Sequence, residues 1–147
     1  MPPFIPFVSD DEIATIGRGL IDRSLPKPLW THAAHFAAAV WLMRERPDLD
    51  LPRDMPPMIR AYNAATGVAN TDTSGYHETI TLASLRAAAA FLQGRPAGEP
   101  LHLSCNALMA SPLGNRDWLL SYWSRERLFS AAARRAWAAP DLAALPF

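Results

Sequence analysis

Three of the four histidines fall in two short motifs, Trp30-Thr31-His32-Ala33-Ala34-His35 and Gly75-Tyr76-His77-Glu78-Thr79. An imidazole can ligate a metal, move a proton or donate a hydrogen bond near neutral pH. Each motif opens a segment otherwise made of alanine, leucine and aromatic residues, where a polar ring must be hydrogen-bonded, paired or bound. On a helix, His32 and His35 project within about 60° of each other. Ala39 continues that face and leaves space beside it, and Phe36 walls or fills the space. On a second helix His77, Thr81 and Ser84 share a stripe, and Glu78 lies about 100° further round. If the stripes face one another, His32, His35 and His77 converge inside the protein. Three imidazoles, or two and a carboxylate, make an open first shell for zinc, nickel, iron or manganese. The same residues support two other readings. Each histidine can donate to a backbone carbonyl or a nearby Thr or Tyr and hold helices in register, or the cluster can work as a metal-free acid–base or ligand site.

Tyr122-Trp123-Ser124-Arg125-Glu126-Arg127 is the second concentration of functional chemistry. Tyr122 and the two arginines, Arg125 and Arg127, can offer a donor and positive charge to an anionic ligand, with Tyr76 and Tyr122 at the mouth of a pocket and Glu78 inside it. The ordinary reading, and the favoured one, is that Ser124 starts a turn or helix while Arg125 and Arg127 pair with Glu126 or surface acids. His102, between Leu101 and Leu103, reads as a surface or capping residue. Thr31 suits the N-cap of its helix, and Thr79 bonds locally in a first turn. The phosphate loops and nucleophile elbows of familiar enzymes are missing.

The elements that must position these residues are helices. Ser9-Asp10-Asp11-Glu12 has capping-box spacing, and Ile13, Ile16, Leu20 and Ile21 predict a helix from about Asp10 to Arg23, slightly weakened by Gly17 and Gly19. A second helix begins between Pro28 and Thr31, is apolar on every side and ends near Arg46, as a central helix should. Residues 48–57 are proline-rich and predict a turn, followed by a short helix over 58–65 that Gly67 stops. Residues 68–75 read as a loop that Asn63 fastens, then helices follow over 76–93 and 101–110. Ser130 caps a last helix over 131–138, ended by Pro140. No strand-type alternation is present. The expectation is an all-α, single-domain helical bundle of five or six helices spanning 1–147, with 1–8 a proline-rich lead.

Fourteen Lys plus Arg balance fourteen Asp plus Glu, which gives no field toward nucleic acid or an anionic membrane. The single Cys105 excludes an internal disulfide and a cysteine-built zinc site, and a buried, inert thiol is expected. The longest apolar run, Ala33 to Met43, is broken by His35 and is too short to span a bilayer. No leader pattern opens the chain, so a soluble, cytoplasmic protein is expected.

The order Leu25-Pro26, Trp30 to His35, Asn70 to Thr79 and Tyr122 to Ser130 resembles a family of small bacterial proteins of uncharacterised activity, over Leu25 to Leu142. A looser similarity is to the DinB/YfiT-like helical bundles, whose three histidines from different helices hold a divalent metal. Here the pair is spaced i, i+3 rather than i, i+4 and precedes the single histidine. That likeness is an analogy only; the leading reading, from the residues themselves, is a bundle with an internal polar pocket lined by His32, His35, His77 and Glu78 that holds a divalent metal and binds or acts on a small molecule. The alternative is a non-catalytic binding or interaction module with structural histidines, where exposed aromatics such as Trp118 or Phe147 meet a partner. Neither reading fixes the oligomeric state.

Overall fold

The computed structural model describes residues 4–147, so the first part of the proline-rich lead, residues 1–3, lies outside the described residues. Among the described residues the structure is all-helical. Five helices have ten or more residues and two are short: α1 (Asp10–Ile21), α2 (His32–Glu45), α3 (Leu51–Ala65), α4 (Glu78–Gln93), α5 (Leu101–Ala110), α6 (Arg125–Leu128) and α7 (Ala131–Arg135). Tight 3-10 turns at Lys27–Leu29, Pro112–Gly114 and Trp118–Ser121 connect them.

Ser9 caps α1 by accepting from Glu12 N, while Glu12 reaches back to Val8 N. Ile13, Ile16 and Leu20 of α1 turn inward. Gly17 and Gly19 have a positive role beyond their low helix propensity. A Cβ at Gly17 would lie 2.2 Å from the Trp41 ring, and one at Gly19 would lie 2.8 Å from Leu25 Cβ. Their missing side chains let α1 close onto α2 and onto the connector that follows α1.

Thr31 caps α2 through Ala34 N. Eight residues of this helix are buried, including the unbroken run Phe36–Leu42, and it touches α1, α4 and α5. This is the central helix that its all-round apolar sequence predicts.

The third helix starts earlier than its prolines suggest. Residues 48–57 were expected to form a turn, yet α3 begins at Leu51 and carries Pro52, Pro56 and Pro57. Asp50 caps it by accepting from Arg53 N, and Pro52 sits at the start, where a missing N–H costs nothing. Pro56 and Pro57 lie beyond the first turn and each forfeits a helical bond. Burial of Leu51, Met55, Pro56, Ile59 and Tyr62 on one face offsets that loss, and Tyr62 Oη donates to Leu25 O at 2.7 Å in the interior.

The last helix is shorter than the expected 131–138. It ends at Arg135, and Ala136 is extended. Thr79 Oγ1, on α4, bonds the backbone of Ala133, Ala136 and Ala138, replacing the helical partners that would have continued α7. The tail then folds back, with Trp123 Nε1 donating to Ala138 O and Leu142 N donating to Tyr122 O. Apart from Ala133, the buried apolar side chains form one contiguous core. Among the described residues no helix is long and apolar enough to cross a membrane.

Candidate functional site

His77 is the N-cap of α4, one residue ahead of the helix, rather than a member of its polar stripe. Its Nδ1 accepts from Ile80 N at 3.2 Å, so the ring proton sits on Nε2, which donates to Leu128 O at 2.7 Å. Both nitrogens are therefore committed, and the residue is buried. Burial pushes its pKa below the usual imidazole value; the Leu128 bond opposes this, and the charge of Arg134 reinforces it. A neutral ring with a fixed tautomer results.

The other motif is arranged differently. His32 Nε2 donates to Leu113 O at 2.8 Å, and the ring meets the edge of Phe36. Desolvation lowers its pKa, against the Leu113 bond, with Arg116 adding to the lowering. His35 Nδ1 donates to Thr31 O at 2.6 Å, and its ring stacks on Trp30 at 3.9 Å between centroids. It keeps an exposed edge, yet desolvation of the stacked ring lowers its pKa as well, against the Thr31 bond. His32 Nδ1 and His35 Nε2 have no hydrogen-bond partner among the described residues. Among those residues no three His, Cys, Asp or Glu side chains are grouped as a metal ion requires.

His102 is tied to Asp10 through both its backbone N, at 2.9 Å, and its Nδ1, at 2.6 Å, so it fastens the start of α5 to the start of α1. Cys105 is buried, and burial pushes its thiol up to about 12.

The loop before α4 explains most of the second motif. Asn70 Oδ1 accepts from Asn63 Nδ2 and Tyr76 N, and Asn70 Nδ2 donates to Arg60 O. Gly75 adopts φ 78°, and a Cβ there would lie 2.5 Å from Ala69 O. Only glycine suits both demands. Arg134 Nη1, from α7, donates to Gly75 O and Tyr76 O. Tyr76 is buried, donates to Glu78 Oε1 at 2.5 Å and carries the Arg60 guanidinium 4.4 Å from its ring centroid. Its pKa is raised by burial first and by the Glu78 bond second. Tyr76 and Glu78 thus meet each other.

Tyr122 and Arg125 lie elsewhere and share no hydrogen bond with that pair. The Tyr122 ring packs edge-on against Trp118, and Arg125 is the exposed first residue of α6. Ser124 caps α6 and is itself held by Asp141 at both its N and its Oγ. Arg127 donates to Ala139 O rather than to an acid. Trp118, expected among the exposed aromatics, is 6% exposed: it packs between Tyr122 and Phe147, which covers it. Phe147 keeps about a third of its surface in solvent, at 37%.

Two concave surfaces lie away from the histidines. One is an apolar groove of about 560 Å³ between the end of α2, the start of α3 and one face of α4. The other, of about 370 Å³, is polar and lies where Arg18, Trp41 and Arg44 face Asp10, Glu45 and Glu99. Neither is lined by a histidine. The sequence signal for the first was the i, i+3, i+7 spacing of Leu82, Leu85 and Ala89, which reads equally well as ordinary core.

Compared with protein families, curated proteins and solved structures, the chain finds no match.

Proposed function

We propose that this chain is a non-catalytic binding module whose motif histidines are structural. The observation that carries the reading is His77. Its two nitrogens are spent on the first turn of α4 and on Leu128 O, so neither can coordinate or shuttle a proton without undoing a helix cap or stranding a carbonyl. His32 and His35 likewise each hand their proton to a backbone carbonyl. The Tyr76 hydroxyl is spent on Glu78 in a short hydrogen bond. Balanced charge suits a small-molecule ligand better than nucleic acid. A lone, buried free thiol suits the reducing cytoplasm.

A second reading keeps a divalent metal, zinc, nickel, iron or manganese, on His32 Nδ1 and His35 Nε2. It is favoured by the free lone pairs of those two atoms and needs donors from water or a ligand. Calorimetric titration of purified protein with zinc, and elemental analysis before and after chelation, separate the two. The module reading expects no stoichiometric metal and an unchanged melting temperature after chelation. One tightly held ion per chain, lost together with thermal stability, would overturn it.

A further inference from the structure

The groove between α2, α3 and α4 has a built-in charge at its rim. Met43, Leu49, Leu51, Leu82, Leu85 and Ala89 supply its apolar wall. Two arginines border it, and their situations differ. Arg46 is matched by a bidentate pair with Asp48. Arg86 has no carboxylate and no hydrogen-bond acceptor among the described residues; its guanidinium carbon lies over the Trp137 ring, 4.5 Å from the centroid. Trp137 is itself braced edge-on by Trp123 at 5.7 Å. A guanidinium held over a ring face with no acceptor of its own has N–H groups to offer and loses little freedom when an anion docks. We infer that this groove binds an aliphatic carboxylate, its alkyl chain between α3 and α4 and its carboxylate on Arg86. The inference rests on the binding-module reading and supplies its ligand class.

Size and shape favour a small amphipathic molecule over a partner helix. The volume, about 560 Å³, lies within the usual range for small-molecule sites. None of the large apolar residues in the wall is among the exposed hydrophobics, so little apolar surface protrudes for a helix face to grip, and a slender alkyl chain suits the groove better. From Leu82 to Ala89 the wall runs roughly 10 Å along α4. A single unpaired arginine matches the single charge of a carboxylate rather than the near-double charge of a phosphate monoester.

The test uses the full chain and sodium decanoate, followed by calorimetry and by amide chemical-shift mapping. Saturable binding with shifts confined to the groove residues is expected, and decanol should bind more weakly. Arg86→Gln, an exposed change, should weaken decanoate about tenfold or more and leave decanol unaffected. Ala89→Phe, at an exposed position on the same wall, should weaken both by filling the groove. No saturable decanoate binding by the folded parent, equal affinity in Arg86→Gln, or preference for an acidic amphipathic peptide over decanoate would overturn the inference. A parallel zinc titration keeps the two proposals apart. Stoichiometric zinc sinks the module reading whatever decanoate does, whereas loss of decanoate binding alone sinks only the groove assignment.

Discussion

Replacing His77 tests the structural role of the motif histidines most directly, because two substitutions divide its two hydrogen bonds. In His77→Ala both disappear. Loss of an N-cap costs about 1 kcal/mol. Leu128 O, on a residue only 1% exposed, loses its donor, and a buried unsatisfied group costs about 1–3 kcal/mol. The sum is about 2–4 kcal/mol, a drop in melting temperature of roughly 6–12 °C for a domain of this size. His77→Asn retains a good N-cap but is too short to reach Leu128, so it should recover about 1 kcal/mol of that loss. Urea unfolding would be followed by helical circular dichroism and by the fluorescence of the buried Trp123, which lies in the segment that His77 secures. A His77→Ala variant within about 0.5 kcal/mol of the parent would refute the reasoning, since that is the scatter of ordinary surface changes. It is also the result that a dispensable metal ligand on an intact fold would give.

Acid should act through the same residue. Burial depresses the pKa of His77 and His32 in the folded state, so the unfolded chain binds more protons. Their contribution is whole above the unfolded value of about 6.5 and is lost as pH falls through the lower folded values. Urea midpoints between pH 7.5 and 5 should therefore fall with acid, and less steeply in His77→Asn; identical slopes would contradict this. Glu99, held at about 2 by Arg95 and the Ser104 hydroxyl, contributes in a separate and lower window, below its ordinary value of 4.5. Thr79→Val removes a hydroxyl that serves three backbone groups of the tail and should cost about 2–3 kcal/mol, whereas Thr79→Ser should cost less. Hydrogen exchange at the Ala138 amide reports the clasp, and protection unchanged in Thr79→Val would count against it. Gly17→Ala should lower stability by about 1–3 kcal/mol through overpacking against Trp41, although alanine is the better helix former. A stabilised Gly17→Ala would mean that α1 and α2 are less closely seated than the structure has them.

The helices were legible because their ends are written in local chemistry. Ser9, Thr31, Ser124 and Ser130 all cap the helices that their spacing assigned to them. Local signals failed where a distant partner intervened. The prolines at 56 and 57 argued against a helix, and only the buried face of α3 outweighs them. Alanines 136 and 138 looked helical until Thr79, more than fifty residues away, took their backbone groups. The histidines illustrate the same limit at the site. Their types and their place on apolar segments marked them correctly as residues needing partners. The partners are the carbonyls of Leu113, Thr31 and Leu128. Backbone acceptors carry no sequence signature, so two of these three, from residues 81 and 51 positions away, could not have been found by reading side chains.

The Gly-Tyr-His-Glu-Thr motif and the tail are two halves of one clasp, and that clasp bears on the groove. His77 holds Leu128, Arg134 returns to Gly75 and Tyr76, and Thr79 holds the backbone on either side of Trp137. Thr79 and Arg86 are seven residues apart on α4 and so share one face. The tail laid along that face therefore places the Trp137 ring under the Arg86 guanidinium. Thr79 does not line the groove, but it fixes the ring that orders the arginine at the rim. Thr79→Val should accordingly weaken decanoate binding and spare decanol, imitating Arg86→Gln from a position outside the groove. Equal loss for both probes would instead mean that the clasp supports the groove wall as a whole, and that Arg86 owes its orientation to something other than Trp137.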